Sequence, residues 1–375
     1  MLEKYNGNEP FASFQKKYFG ADKKYGSNDR KQISHLCYCF FRLGKALRDI
    51  SVEERILIAL FFCSDLSNEI LQHLKPELNK YVHLPTEKKL LIINSSLSIQ
   101  DIFPWKEELS IGIDSEKFCG SFLIQPDFFL RLRPGQEEKV IRKLSAAEIN
   151  FREINPSCLA LQNASKIDAV IELDKEAVVQ EFNSQKTGKF LPLNADHLSL
   201  TAWDCCAGSG GKSIMLHDLF PDVELTVSDI RESILANLKK RLSKARIKNY
   251  NSFVADLTQP DIKLQTSGFK LVLCDIPCTG SGTWSRTPEQ LYYFDEKKIT
   301  AYASLQKKIV SNIIPYLQPG GYLLYITCSV FKKENEEVVD FLKNQFSFEI
   351  IKMETLKGYD KKADTMFAAL LKKPL

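Results

Sequence analysis

The stretch Leu198 to Ser213, LSLTAWDCCAGSGGKS, decides the fold. An apolar run ends at Asp204, and a turn carrying Gly208, Gly210 and Gly211 then opens the apolar GKSIMLHDLF segment at 211–220. A strand that passes through a glycine turn into a helix is the first unit of a doubly wound sheet, in which glycines let the backbone turn tightly and approach a ligand closely. The turn is not a P-loop. That motif needs a glycine five positions before Gly211, where Cys206 stands, so Lys212 and Ser213 are not Walker residues. Eighteen residues past Gly211, Asp229 closes the next apolar run, the position from which an acid accepts hydrogen bonds from both ribose hydroxyls. The pair of features admits a dinucleotide or S-adenosylmethionine and does not choose between them.

Outward from this turn, the residues from 196 to the end alternate strand and helix as in an open α/β sheet. The runs are LSLTAWD, GKSIMLHDLF, ELTVSD, ESILANLKKRLSKA, NSFVAD and FKLVLCD, then a long helix near 300–317, then GYLLYIT. Asp204, Asp229, Asp256 and Asp275 each close an apolar run. Four acids at strand ends predict a polar ligand across the carboxyl edge of the sheet. Residues 121–195 read as a small α+β domain, RRM-like, with strands in FFLRLRP, CLALQNA, AVIEL and AVVQEF and a helix in EEKVIRKLSAAEI. Arg131 and Arg133 share one face of the first of these strands, as a phosphate-binding surface or a solvated strand face would have them. Residues 1–120 form a helical domain. Periodic segments reach about residue 82, with Ser27, Asn28 or Asp29 as a helix cap, and then comes a connecting region interrupted by Pro85, Pro104 and Gly112.

A chain of 375 residues with 44% hydrophobic content buries a large core in two or three domains. The first residues, MLEKYNGNEPFASF, lack the apolar core of a signal peptide, and no stretch approaches the roughly 18 apolar residues of a membrane span. A cytoplasmic location is expected. The ten cysteines fall mostly in apolar runs such as LCYCFF and LVLCD, where reduced buried thiols are usual, and none joins a cluster with zinc-ligand spacing. No metal is expected. A net charge of +4 does not by itself announce nucleic acid, although the basic run KKRLSKARIK at 239–248 and the tail KKADTMFAALLKK suit an RNA surface.

Two cysteines stand in unusual settings, Cys278 in LCDIPCTGSGTWSRTPE and Cys328 in YLLYITCSVFKKENEE. Each comes after an apolar strand, so the fold brings both to one crevice with Asp275. Carbon 5 of cytosine is a poor nucleophile. An enzyme that methylates it must first add a soft anion such as a thiolate to carbon 6, producing an enamine that attacks an electrophilic methyl group. The carbon 5 proton must then leave and the thiolate be expelled, work for Asp275, Cys278 or an ordered water. An acid facing the ring also favours cytosine through its exocyclic amine, the role expected of Asp275. Lys332, Lys333 or a helix start would help the thiol to ionise.

These residues resemble the Fmu/Sun family, the RsmB-type RNA cytosine-5 methyltransferases, across the C-terminal half of the chain. The family's D-x-C-A-[AG]-x-G-G-K corresponds to DCCAGSGGK, its D-x-P-C to Asp275–Cys278, and its T-C-S to Thr327–Ser329. The resemblance implies that Cys328 is the nucleophile and that Cys278 assists product release. It implies S-adenosylmethionine as cofactor, contacted by Cys206, Ala207, Gly208, Ser209, Gly210, Gly211 and Lys212 with Asp229, Asp256 and Asp275. Arg286 and Pro288 match the family's R-x-P. Departures from the pattern are Glu181 for Asp in V-Q-D-x-x-S-Q, Arg133 for Asn in L-R-x-N, and Asp364-Thr365-Met366-Phe367 for D-G-F-F. The N-terminal helices resemble a shorter version of the NusB-like RNA-binding domain of such enzymes. A monomer is expected, acting on small-subunit ribosomal RNA, single-stranded or in a stem-loop, where unstacking a cytosine costs least. Transfer RNA as substrate, or a binding protein that no longer turns over, are the competing readings. A dehydrogenase fits the glycine turn but leaves the cysteine pair unexplained.

Overall fold

The computed structural model describes the chain except residues 23, 94–96, 164, 192–199, 263 and 265–267. The boundary expected at 195–196 lies outside the described residues. These form two compact units: Met1–Leu109 with Ile113–Gln125 and Thr283–Glu296, and Ser110–Gly112 with Pro126–Gly282 and Lys297–Leu375. No helix among the described residues is long and apolar enough to cross a membrane.

The first unit is helical. Its helices Phe11–Ala21, Ser27–Arg42 and Val52–Cys63 obey the three-and-four spacing of their apolar residues. The second begins one residue earlier than the expected caps. Gly26 is its N-cap, and Asp29 serves by accepting the Gly26 N–H at 2.9 Å. Between 83 and 120 the chain is more ordered than a connector, with helices Thr86–Ile93 and Ser115–Ser121 and short 3-10 turns. Each is too short to display a helical period. Tyr292 packs on the aromatic cluster of Tyr5, Phe11, Phe40 and Phe41, and Glu289 accepts the Phe11 N–H, so the segment carrying Arg286 and Pro288 belongs to this unit.

The second unit contains two sheets. In the smaller, strands β1 (Phe128–Leu132), β2 (Phe151–Asn155), β3 (Cys158–Leu161) and β4 (Ala177–Val179) pair antiparallel in the order β2-β3-β1-β4. The helix Glu137–Ala146 buries Val140 and Leu144 against Leu130, Leu132, Leu159 and Leu161. Two sequence expectations change here. AVIEL is a turn in which the Val170 and Ile171 N–H groups both donate to the Ile167 carbonyl. FREIN, in which no residue is fully buried, is a strand.

Arg131 and Arg133 are also corrected. Both reach Asp218, at 2.6 Å each, Arg131 also donates to Gln180, and Arg133 donates to the carbonyls of Asp174 and Ala245. Side-chain exposures of 9%, 13% and 5% for Arg131, Arg133 and Asp218 leave no solvated face for phosphates. Asp218 sits 87 and 85 residues downstream, beyond the reach of any local pattern.

The larger sheet joins β5 (Thr201–Asp204), β6 (Glu224–Asp229), β7 (Tyr250–Val254), β8 (Phe269–Asp275), β9 (Leu317–Thr327), β10 (Glu349–Leu356) and β11 (Met366–Lys372). Their order is β10-β11-β9-β8-β5-β6-β7, parallel except for β11, which runs antiparallel to β9 and β10. Period-two alternation sends Leu271, Leu273, Leu324 and Ile326 to one face, under helices Gly211–Leu219 and Glu232–Lys244. Val272, Cys274, Leu323 and Tyr325 go to the other, under Lys297–Ile313 and Glu336–Phe346. With both faces covered, the central strands read as continuous apolar runs. Strand order reverses at β5, whose neighbours are β6 and β8, and the chain's chemistry gathers at that switch point.

Candidate active site

The glycine turn forms because its backbone is bound on both sides. Ala207 N–H donates to the Ser228 carbonyl at 2.9 Å and Gly208 N–H to Asp229 Oδ2 at 3.0 Å. Gly210 adopts φ +85°, and a Cβ there would stand 3.0 Å from Leu238, so the turn and the close helix packing both require glycine. Asp229 also accepts from the N–H and guanidinium of Arg231. Burial pushes this carboxyl up, but the bonds from Arg231 and Gly208 outweigh it and hold the group below the usual carboxylate range.

A cavity of about 800 Å³ opens at these strand ends. Cys206, Gly208, Asp229, Asp256, Asp275, Cys278 and Cys328 all line it, so most of the site residues expected from sequence share one chamber. The rest of the loop faces elsewhere. Ala207 lies in the core, Gly211 begins the helix, and Ser209 receives the Arg241 guanidinium. Lys212 is buried and donates to Asp275 Oδ2 at 2.6 Å. Burial alone would lower this ammonium, but Asp275, with Cys328 nearby, raises it. The lysine set aside as a non-Walker residue is thus a cation of this site, with Cys328 among the groups that raise it.

Asp204 does not join the other acids. It is fully buried, accepts the Ser213 hydroxyl at 2.6 Å, and is pushed up by burial to about 7. Asp256 lies two residues beyond the end of β7, where it accepts from the N–H and hydroxyl of Thr258 and borders the cavity.

Cys278 and Cys328, fifty residues apart, bring their sulfurs to 3.3 Å. The hydrogen bond with Cys328, then burial, then the charges of Cys328 and Glu334 push the Cys278 thiol well above its ordinary value. Gly282 joins the two loops. Its N–H donates to the Cys328 carbonyl at 2.9 Å, and a Cβ there would collide with the Thr365 carbonyl. Glu334, Asn335 and Gln306, which sequence reasoning missed, bind the backbone and hydroxyls around both cysteines. Glu334 and Asn335 stand in the quoted ENEE run, but nothing local marks them as other than a charged helix start. Spacing also missed the approach of three thiols: the sulfurs of Cys205, Cys206 and Cys274 lie within 4.8 Å of one another.

A seven-stranded sheet of this order, with a glycine turn after β5 at the switch point and an acid-lined cavity at the carboxyl edge, defines a class I methyltransferase domain. Residues 191–371 match the family described as 16S rRNA methyltransferase RsmB/F. It is 27% identical over 256 residues to ribosomal RNA small subunit methyltransferase B of Enterobacter sp. (strain 638), covering 65% of this chain and 56% of that protein. Its identity to the enzyme of the same description from Salmonella arizonae is 32% over 167 residues, covering 43% and 37%. The chain spans about half the length of the curated relatives it matches first. Among solved structures it is similar in fold to PH0851, with a TM-score of 0.70 at 19% identity over 96% of this chain and 93% of that one. NSun6 from Pyrococcus horikoshii gives a TM-score of 0.62 at 16% identity over 73% and 96%. The family's cofactor is S-adenosylmethionine, and the cavity suits it. Asp229 and Asp256 present carboxylates to it, Ile230, Leu257, Leu305 and Ile309 supply apolar walls, and Cys328 opens on the same space.

Proposed function

We propose that this protein methylates carbon 5 of a cytosine in RNA, most simply small-subunit ribosomal RNA, through a covalent Cys328 adduct. The observation that carries the reading is the Cys278–Cys328 pair, 3.3 Å apart in the cavity that also holds Asp229 and Asp275. S-adenosylmethionine supplies an electrophilic methyl group. Cys328, as thiolate in the field of Lys212, adds to carbon 6 of an unstacked cytosine. Asp275, aimed by its 2.6 Å bond from Lys212, accepts from the exocyclic amine and draws electron density from the ring. Carbon 5 takes the methyl and gives its proton to Asp275 or a solvent water, the C–H electron pair restoring the carbon 5–carbon 6 double bond. The carbon 6–sulfur bond then breaks and the electron pair returns to Cys328, with the Cys278 thiol assisting release.

The helical unit and the four-stranded sheet are proposed as the RNA-binding parts, NusB-like and RRM-like, of a cytoplasmic monomer. The test is a covalent trap with cellular RNA and S-adenosylmethionine. Cys328→Ala is expected to abolish methylation, whereas Cys278→Ala forms the adduct but resolves it slowly, leaving protein and RNA joined on a denaturing gel. Sequencing the trapped RNA names the target and separates ribosomal from transfer RNA. If neither variant traps RNA and the wild type transfers no methyl group, the protein is an RNA-binding factor instead.

A further inference from the structure

Both cysteine loops are held from behind by one acid. Glu334 has no exposed surface, and its carboxylate collects four donors. Oε1 accepts the hydroxyls of Thr279 at 2.6 Å and Ser329 at 2.5 Å, and Oε2 accepts the Thr279 N–H and Gln306 Nε2, both at 2.9 Å. Thr279 directly succeeds Cys278 in the chain, and Ser329 directly succeeds Cys328. Gln306 Nε2 also donates to the Pro277 carbonyl at 3.0 Å, on the other side of Cys278. Asn335 completes the frame: Oδ1 accepts the Thr327 hydroxyl at 2.5 Å, and Nδ2 donates to the Ser329 carbonyl at 2.9 Å. The residues on both sides of each cysteine are therefore fixed by three side chains.

Four donors on one carboxylate are all satisfied only by the ionised form, because a protonated acid turns a hydroxyl toward one of them. Burial pushes Glu334 above the usual carboxylate range, and the bonds from Ser329, Thr279 and Gln306 oppose it. A buried charge held this way is tolerated for its hydrogen bonds, and a single lost acceptor leaves a buried donor unpaired.

We infer that Glu334 is the positioning residue of the cysteine pair, holding the Cys278 thiol against Cys328 so that one sulfur bonds carbon 6 while its neighbour keeps the proton needed for release. The inference rests on the proposed reaction, but the placement it describes has its own readout. The charge of Glu334 is among the causes that keep Cys278 protonated, which divides the labour between two chemically identical groups. Without the frame, the two loops stay joined beyond the cysteines, at Gly282 and at Ser281, whose hydroxyl accepts the Val330 N–H at 2.9 Å, while the residues flanking each sulfur lose their shared anchor.

The experiment is oxidation of the full-length protein by diamide, an azodicarboxamide. The two thiols lose their protons and form one S–S bond while the N=N bond takes up two electrons and two protons. Wild type is expected to form the Cys278–Cys328 disulfide rapidly, identified by peptide mass mapping. Glu334→Gln, which sets an amide NH2 against a donor, should slow it by about tenfold or more. Glu334→Asp should recover part of the rate. In methyl transfer, Glu334→Gln should lower kcat with KM for RNA unchanged and accumulate the covalent adduct. A cross-linking rate within about twofold of wild type in Glu334→Gln overturns the inference. Should that variant not fold, Thr279→Val and Gln306→Leu open the same frame from its two sides, and unchanged cross-linking in both overturns it equally. Slowed cross-linking in Glu334→Gln, beside a wild type that methylates no RNA, would retain the positioning role and reject the reaction.

Discussion

Replacing Asp218 by asparagine is expected to destabilise the second unit by about 3–5 kcal/mol, the cost of leaving buried guanidinium groups without their counter-charge. The structure sets that magnitude. Two arginines lie 2.6 Å from one carboxylate, all three side chains are no more than 13% exposed, and Arg131 Nη2 is buried with no hydrogen-bond partner among the described residues. Burial already lowers the Arg131 pKa, with Asp218 opposing it, so removing the acid leaves only the unfavourable part. A domain whose stability is about 5–15 kcal/mol would lose a large share of it. Hydrogen exchange of the β1 and β4 amides in wild type and Asp218→Asn measures the loss directly. Arg131→Gln supplies the control on function. If Arg131 served phosphates, its loss would reduce the salt dependence of RNA binding by about one ion per site with little change in stability. That outcome, or a loss below about 1 kcal/mol in Asp218→Asn, would refute the reasoning.

Asp204 predicts a pH dependence of stability. Its folded pKa of about 7 lies above the ordinary 3.8, so the native state keeps a proton that the unfolded chain releases. The stabilisation is complete below about pH 4, falls as pH rises toward 7 and is gone above it, with an upper bound of about 4 kcal/mol at 1.36 kcal/mol per unit. Asp204→Asn should flatten this slope, read from urea midpoints at pH 5 and pH 8; an unchanged slope would assign it to other groups. Lys212→Met should lower single-turnover methyl transfer by about a hundredfold, by freeing Asp275 and removing the cation near Cys328. Full activity in that variant would reduce Lys212 to a packing role.

The central sheet was legible because its signals are local. Within FKLVLCD the run LVLC is unbroken because both its faces are covered, and the glycine turn needs glycine where φ is positive. The cysteine pair was legible because two strand ends meet at one edge. What escaped depends on partners far along the chain. Arg131 and Arg133 look like a strand face until Asp218 arrives from 87 and 85 residues away, and Lys212 has no assignable role until Asp275, 63 residues on, is beside it. Asp204 closes an apolar run as Asp229 does, but Ser213 takes its carboxylate into the core. AVIEL has the composition of a strand, yet Ile167 and Ile171 pack into the small domain from a turn.

Glu181, a departure from the family pattern, meets in space the stretch Asp364–Phe367, which departs from it at Thr365 and Met366. Glu181 Oε2 caps the helix Phe182–Lys186 by accepting the N–H groups of Asn183 and Ser184, while Oε1 accepts the Asp364 N–H at 2.8 Å. Asn183 returns the connection, donating to the carbonyls of Asp364 at 2.7 Å and Leu356 at 2.9 Å. From Asp364 the path continues through the Thr365 N–H, which donates to the Gly282 carbonyl at 3.0 Å, and through the Gly282 N–H to the Cys328 carbonyl at 2.9 Å. The length of the glutamate side chain lets one carboxylate cap the helix and still reach the 364 amide. The path thus runs from the Glu181 carboxylate to the backbone of Cys328, whose thiol stands 3.3 Å from that of Cys278.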